Sequence, residues 1–169
     1  MEDNLNEILK LAKEKGAINS KLLSPDKIVV AEWVSWKCRF GCPSYGKFFM
    51  CPPHAPTPEQ TRALLKDYDS ALLLQYTSTQ DYHNLLLDLE RESFLRGFYK
   101  ALGLSAGSCR LCDMCNISNG SCMNPVKARP SMEACGIDVF GTARKAGLEL
   151  EVLTSNNDIY PRICLLLLK

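Results

Sequence analysis

A single α+β domain, with a sheet of about four strands and two cysteine-rich metal-binding loops outside it, is what this 169-residue sequence predicts. Three observations carry that expectation. Helical and strand-like apolar patterns follow one another in the order α, β, loop, α, β, α, loop, α, β, β. Apolar residues make up 46% and charged residues 23%, an ordinary globular balance with enough apolar mass for one core. No repeat, low-complexity tract or linker divides residues 1–169.

The elements are justified in turn. Leu5, Ile8, Leu9 and Ala12 fall at helical spacing, and Gly16 stops the helix. Asn19 to Asp26 reads as a polar turn region. Lys27 to Trp36, with Ile28, Val29, Val30 and Val34, reads as a strand leading into the first cysteine loop. Thr57-Pro58-Glu59-Gln60 supplies an N-cap, a proline at the first helical position and an amide at the third, so a helix runs from Pro58 to about Asp67. Ser70 to Thr77 is a buried strand. Gln80 to about Leu102 is the longest helical pattern, ended by Gly103 and Gly107. A further helix starts at Pro130 or Ser131, breaks at Gly136 and is capped by Gly147. Leu148 to Leu153 and Tyr160 to Leu168 then form a terminal hairpin across Ser155 to Asp158.

The net charge is only +1, from 20 Lys and Arg against 19 Asp and Glu, which gives no support to a nucleic-acid partner held by counterion release. The apolar run ending at Leu168 is too short to span a bilayer, and the acidic start Met1-Glu2-Asp3-Asn4 is the opposite of a signal peptide. A cytoplasmic protein with no membrane partner is expected. Its nine cysteines are then the anomaly, because in a reducing compartment such density means metal or redox chemistry rather than disulfides.

Seven of the nine fall into two clusters. In Cys109-x2-Cys112-x2-Cys115-x6-Cys122, three cysteines at successive x2 spacings place thiolates on one curled loop. Zinc ribbons use two separated Cys-x2-Cys knuckles, whereas the overlapping run is the form that holds three corners of a [4Fe-4S] cube in bacterial ferredoxins. The fourth cysteine comes after six residues instead of three, with Pro125 displaced, so Cys122 either closes the same cube or reaches elsewhere. The other cluster, Cys38-x3-Cys42-x8-Cys51, lacks the third-cysteine spacing of radical S-adenosylmethionine enzymes. Three thiolates need a fourth ligand: His54, Cys135, or an exogenous molecule at an open iron. With Cys164 read as a small core hydrophobe, eight cysteines remain, the number two all-cysteine cubes require, and that arithmetic points to Cys135. The two loops differ in spacing, so a duplicated ferredoxin is not indicated. Arg39, Lys47, Arg110 and Arg129 flank the loops, and Trp33, Trp36, Phe40, Tyr45, Phe48 and Phe49 are expected to shield a cluster from water. His83 reads as solvated.

Several of these segments recur together: Lys37-Cys38-Arg39-Phe40-Gly41-Cys42, Tyr45-Gly46-Lys47, Cys51-Pro52-Pro53-His54, Cys109-Arg110-Leu111-Cys112 and Ala128-Arg129-Pro130-Ser131-Met132-Glu133-Ala134-Cys135-Gly136-Ile137-Asp138-Val139. With Cys115 and Cys122, they resemble an uncharacterised prokaryotic family of predicted metal-binding proteins, a domain of unknown function. The resemblance runs from about Leu5 to Leu168 and implies metal binding through the cysteine clusters, with no reaction attached.

Three functions follow as expectations. The first is an iron–sulfur protein with one or two [4Fe-4S] clusters that transfers electrons to a redox partner protein. The second is an enzyme whose first cluster has an open iron, with Arg39, Lys47, His54 or Arg129 around a small anionic substrate. The third is a zinc-stapled adaptor module. The leucine-rich last strand is open to pairing across a homodimer or to burial in the chain's own sheet.

Overall fold

The sheet is built on two strands so apolar that they leave no polar face. In the computed structural model, which describes residues 2–152 and 159–169, the helices α1 (Glu2–Glu14), α2 (Glu32–Gly41), α3 (Pro58–Leu65), α4 (Tyr82–Leu95) and α5 (Val139–Lys145) accompany four strands. These are β1 (Asn19–Leu23), β2 (Ser70–Thr77), β3 (Leu102–Leu104) and β4 (Pro161–Leu168), in the order β1-β2-β4-β3 with every pair antiparallel. Side chains alternate faces along a strand. Ala71, Leu73, Ile163, Leu165 and Leu167 therefore enter one core with Leu65 of α3 and Ala143 of α5. Leu72, Leu74, Tyr76, Cys164, Leu166 and Leu168 enter the other with Ile8 and Ala12 of α1 and Leu86 and Leu89 of α4. Burial on both faces explains why the centre of β2 and the end of β4 read as unbroken apolar runs.

Several expectations hold in detail. Strand β2 spans Ser70–Thr77 as expected, and β4 nearly matches its forecast. Thr57 and Gln60 form the reciprocal capping box at the start of α3, at 3.3 and 2.9 Å. The break at Gly136 is real: a short 3-10 turn over Glu133–Cys135 ends there at φ +76°, and α5 starts afresh with Asp138 as its N-cap.

Others are corrected. Lys27 to Trp36 is not a strand. Val30 makes only an isolated bridge to Ile137, and the chain turns helical at Glu32. Trp33, Trp36 and Phe40 already follow helical spacing, and Glu32 and Arg39 sit at the ends the helix dipole favours. Asn19–Leu23, expected as a turn, is an edge strand, and its polar Asn19, Ser20 and Lys21 suit an edge. Helix α4 stops at Leu95, because Gly97 adopts a left-handed φ of +96°, and Leu102–Leu104 becomes β3 instead of the helix end. Residues 148–152 form no strand, and the expected turn Ser155 to Asp158 lies outside the described residues. Strand β4 pairs with β2 and β3 within the chain. Among the described residues no helix is long and apolar enough to cross a membrane.

Candidate metal centre

Both cysteine loops are fastened to the segment around the 3-10 turn at Glu133–Cys135. Helix α2 is entered through Ala31, whose N–H donates to Gly136 O at 2.9 Å, and the Asp138 N–H donates to Val29 O at 2.8 Å. Cys38 lies on the last turn of α2, and Cys42 caps that helix by donating its N–H to Cys38 O. The loop then curls back through Gly46, whose φ of +71° suits a residue without Cβ and whose N–H reaches Pro52 O at 2.8 Å. Cys51 follows, accepting the His54 and Ala55 N–H groups at its carbonyl, and the Pro52-Pro53 bond is cis.

The second loop leaves the sheet after β3 and returns at Ser131. Its base is closed by the Ser105 N–H to Pro130 O at 2.8 Å and the Met132 N–H to Ser105 O at 3.1 Å. Two further clamps hold it. His83 is not merely solvated, since its Nε2 lies 2.8 Å from Lys127 O and its Nδ1 lies 3.0 Å from Ser105 Oγ. A carbonyl only accepts, so Nε2 carries a proton and donates it to Lys127 O. Arg129 grips Glu90 with two nitrogens, one of them at 2.9 Å, and Glu90 also accepts the Gly103 N–H at 2.6 Å. Arg129 is therefore a structural anchor.

Within this frame Cys109, Cys112, Cys115 and Cys122 border one narrow cleft of about 20 Å³, walled on the other side by Phe48 and Phe49. The Leu111 N–H is directed at the Cys109 sulfur. Asn124 Nδ2 donates to Cys112 Sγ at 3.0 Å. Such N–H donors stabilise thiolates and tune the metals they hold. Burial nevertheless raises the Cys109 thiol above its ordinary range, and the three neighbouring cysteines push it the same way.

Cys38, Cys42 and Cys51 instead border a cavity of about 450 Å³. Cys51 is buried and its thiol is pushed up to about 11, chiefly by burial and then by Cys42 and Cys38. The Cys109 N–H offsets part of this by donating toward the Cys51 sulfur, which joins the two loops directly. Cys38 is raised by burial and by Cys42, with Glu133 adding to it.

Two of the expected ligands stand apart. Cys135 is 2% exposed in the core beside Met132 and Leu65, with its thiol pushed up to about 12 by burial, and it does not border the cavity. His54 is exposed and meets Phe49 edge-on at 5.8 Å between ring centroids. Cys164 is fully buried in β4, as a small core hydrophobe should be. The aromatic residues divide. Phe48 and Phe49 wall the second cleft, Trp33 and Tyr45 border the cavity, and Trp36 and Phe40 point outward at 66% and 72% exposure. Two participants have no role assigned by the sequence: Asn124 on the Cys112 sulfur, and Glu133 at the cavity, which lies inside the segment that carries the resemblance.

Soft thiols gathered on one cleft, with N–H groups aimed at sulfur, suit a thiophilic metal or an iron–sulfur cluster. No three His, Cys, Asp or Glu side chains among the described residues stand close enough to hold a single metal ion as placed. A cleft of about 20 Å³ is roughly the room of one water, so the loop has to spread to take a cube.

The fold is that of a small α+β domain with two cysteine-bearing loops. The chain belongs to the family described as Predicted metal-binding protein (DUF2284), which it matches over residues 21–168. No curated protein and no solved structure matches it.

Proposed function

We propose that this protein is an iron–sulfur protein of redox function, with a cluster on Cys109, Cys112, Cys115 and Cys122 and a second on Cys38, Cys42 and Cys51. The observation that carries the reading is the convergence of the four second-loop thiols on one cleft, with Leu111 and Asn124 donating to their sulfurs. When bound, a cluster supplies one-electron chemistry. The chain's own part is to hold the thiolates, to set the potential through those N–H groups and to exclude water with Phe48 and Phe49. A redox partner protein delivers or takes the electron.

Two observations favour further readings. The four thiols bordering one small cleft also suit a single zinc ion if the loop draws them together, which would make the second loop a staple. The cavity beside Cys38, Cys42 and Cys51 favours an enzyme, since three thiolates leave one coordination position for a ligand held there. Anaerobic purification followed by iron, zinc and acid-labile sulfide counts on one sample separates them. Iron with matching sulfide supports the cluster reading. Zinc without sulfide overturns it.

A further inference from the structure

None of the four groups that the sequence offers to an anionic substrate (Arg39, Lys47, His54 and Arg129) borders the 450 Å³ cavity. What does border it is different in kind. Trp33, Val34, Tyr45, Ile137, Val139 and Phe140 give it an apolar wall, and its volume is in the range of about 300–1,000 Å³ typical of small-molecule sites. Among the described residues that line it, Glu133 and Asp138 are the carboxylates and Lys37, which is exposed, is the cation. Asp138 is engaged as the N-cap of α5, accepting the Gly141 N–H at 2.9 Å. The Glu133 carboxylate makes no salt bridge among the described residues; its Oε2 is buried without a partner, and the residue also borders a smaller pocket with Arg162, whose Nε is likewise buried without one. The other carboxylate oxygen has no hydrogen-bond partner among the described residues either, and a carboxylate left so beside an apolar wall is costly, a cost that a cation or N–H donor held against it relieves. Three cysteines on the same wall add negative charge once they hold metal.

We propose that this cavity binds a flat, largely apolar small molecule carrying an amine or other cationic nitrogen, its apolar body between Trp33, Tyr45 and Phe140 and its nitrogen set against Glu133. It rests on the metal reading for what shares the space, since a group held by Cys38, Cys42 and Cys51 takes part of the cavity; the apolar wall and Glu133 are there without it.

The test is calorimetric titration of the anaerobically purified protein with 2-phenylethylamine, 2-phenylethanol and phenylacetate, three probes of one shape and different charge. The amine is expected to bind tightest and phenylacetate weakest. Glu133→Gln, which keeps the shape, weakens the amine about tenfold or more, as loss of a charge-assisted contact should, and leaves the alcohol nearly unchanged. Gly41 borders the cavity with nothing within 4 Å of an added Cβ, so Gly41→Trp adds bulk at the lining and should weaken binding of all three. Phenylacetate binding as tightly as the amine, an amine affinity indifferent to Glu133→Gln, or no binding by any probe overturns the proposal. The probe ranking in the unaltered protein decides even if Glu133→Gln does not fold. Metal counts on the same samples keep this outcome separate from that of the cluster reading, since iron without amine binding sinks the ligand alone.

Discussion

The two cysteine loops contrast in almost every physical respect. The second presents four thiols to a cleft of about 20 Å³, with N–H donors on two of the sulfurs and clamps at Arg129–Glu90 and His83–Lys127. The first presents three thiols, one of them exposed, to a cavity of about 450 Å³ bordered by the unpaired carboxylate of Glu133. A saturated, tightly held ligand set suits electron transfer or structure, because nothing needs to enter. A three-ligand set opening on apolar space suits binding. On the proposed reading, one small fold places a closed site and an open one against each other, touching where the Cys109 N–H faces the Cys51 sulfur.

The largest effect expected from breaking this contrast is loss of a whole site. Cys112→Ala should remove the second loop's metal and its absorbance, whereas Cys42→Ala should remove only the first loop's. Metal content equal to that of the unaltered protein in either variant would sink the ligand assignment. Cys164→Ala should leave metal content unchanged.

Next in size is an effect of pH on the metal-free protein. Burial holds the Cys135 thiol neutral, moving it from an ordinary 9.0 up to about 12, and burial raises Cys164 as well. The unfolded chain releases these protons first, so folding stability falls as pH rises from about 9 towards 12. Each thiol contributes a slope of about 1.4 kcal/mol per pH unit. Urea unfolding of the chain and of Cys135→Ala between those limits checks this, and Cys135→Ala should lose one thiol's share of the slope. If Cys135→Ala instead strips metal from the first loop, Cys135 is a ligand after all and the first site is closed.

A smaller change would sharpen the comparison. Asn124→Leu deletes the 3.0 Å donor to the Cys112 sulfur. It should lower the reduction potential of the second site and leave the first unmoved, as an EPR-monitored redox titration would show.

The strands and ligands most legible in the sequence are those set by local chemistry. Leu72 to Leu74 and Leu165 to Leu168 announce strands buried on both faces, Thr57 to Gln60 announces a cap, and the x2 spacings announce a curled ligand loop. What is not legible depends on partners far along the chain. Asn19 to Leu23 is polar and becomes a strand only because β2 offers it an edge. The β-propensity of Ile28, Val29 and Val30 yields to the helical spacing of Trp33, Trp36 and Phe40 once α2 packs against the turn at Glu133. Counting cysteines to eight draws Cys135 toward the metal, but its position on the buried side of that turn is set by the packing of α3, where the Thr61 hydroxyl donates to Cys135 O at 2.7 Å.

The smallest effect concerns the aromatic residues of α2. Trp36 and Phe40 pair at 5.8 Å between ring centroids, yet both are mostly in solvent. The sequence assigns them to shielding a cluster, but Phe48 and Phe49 occupy that place for the second site. Exposed rings bury little area, so Trp36→Ala should change stability by no more than about 0.5 kcal/mol and leave both sites' absorbance intact. Phe49→Ala, by contrast, opens the second cleft to water and should hasten its loss of metal in air. A Trp36→Ala variant that loses metal as readily as Phe49→Ala would mean that α2 lies over a cluster in solution, and the first site would then be as closed as the second.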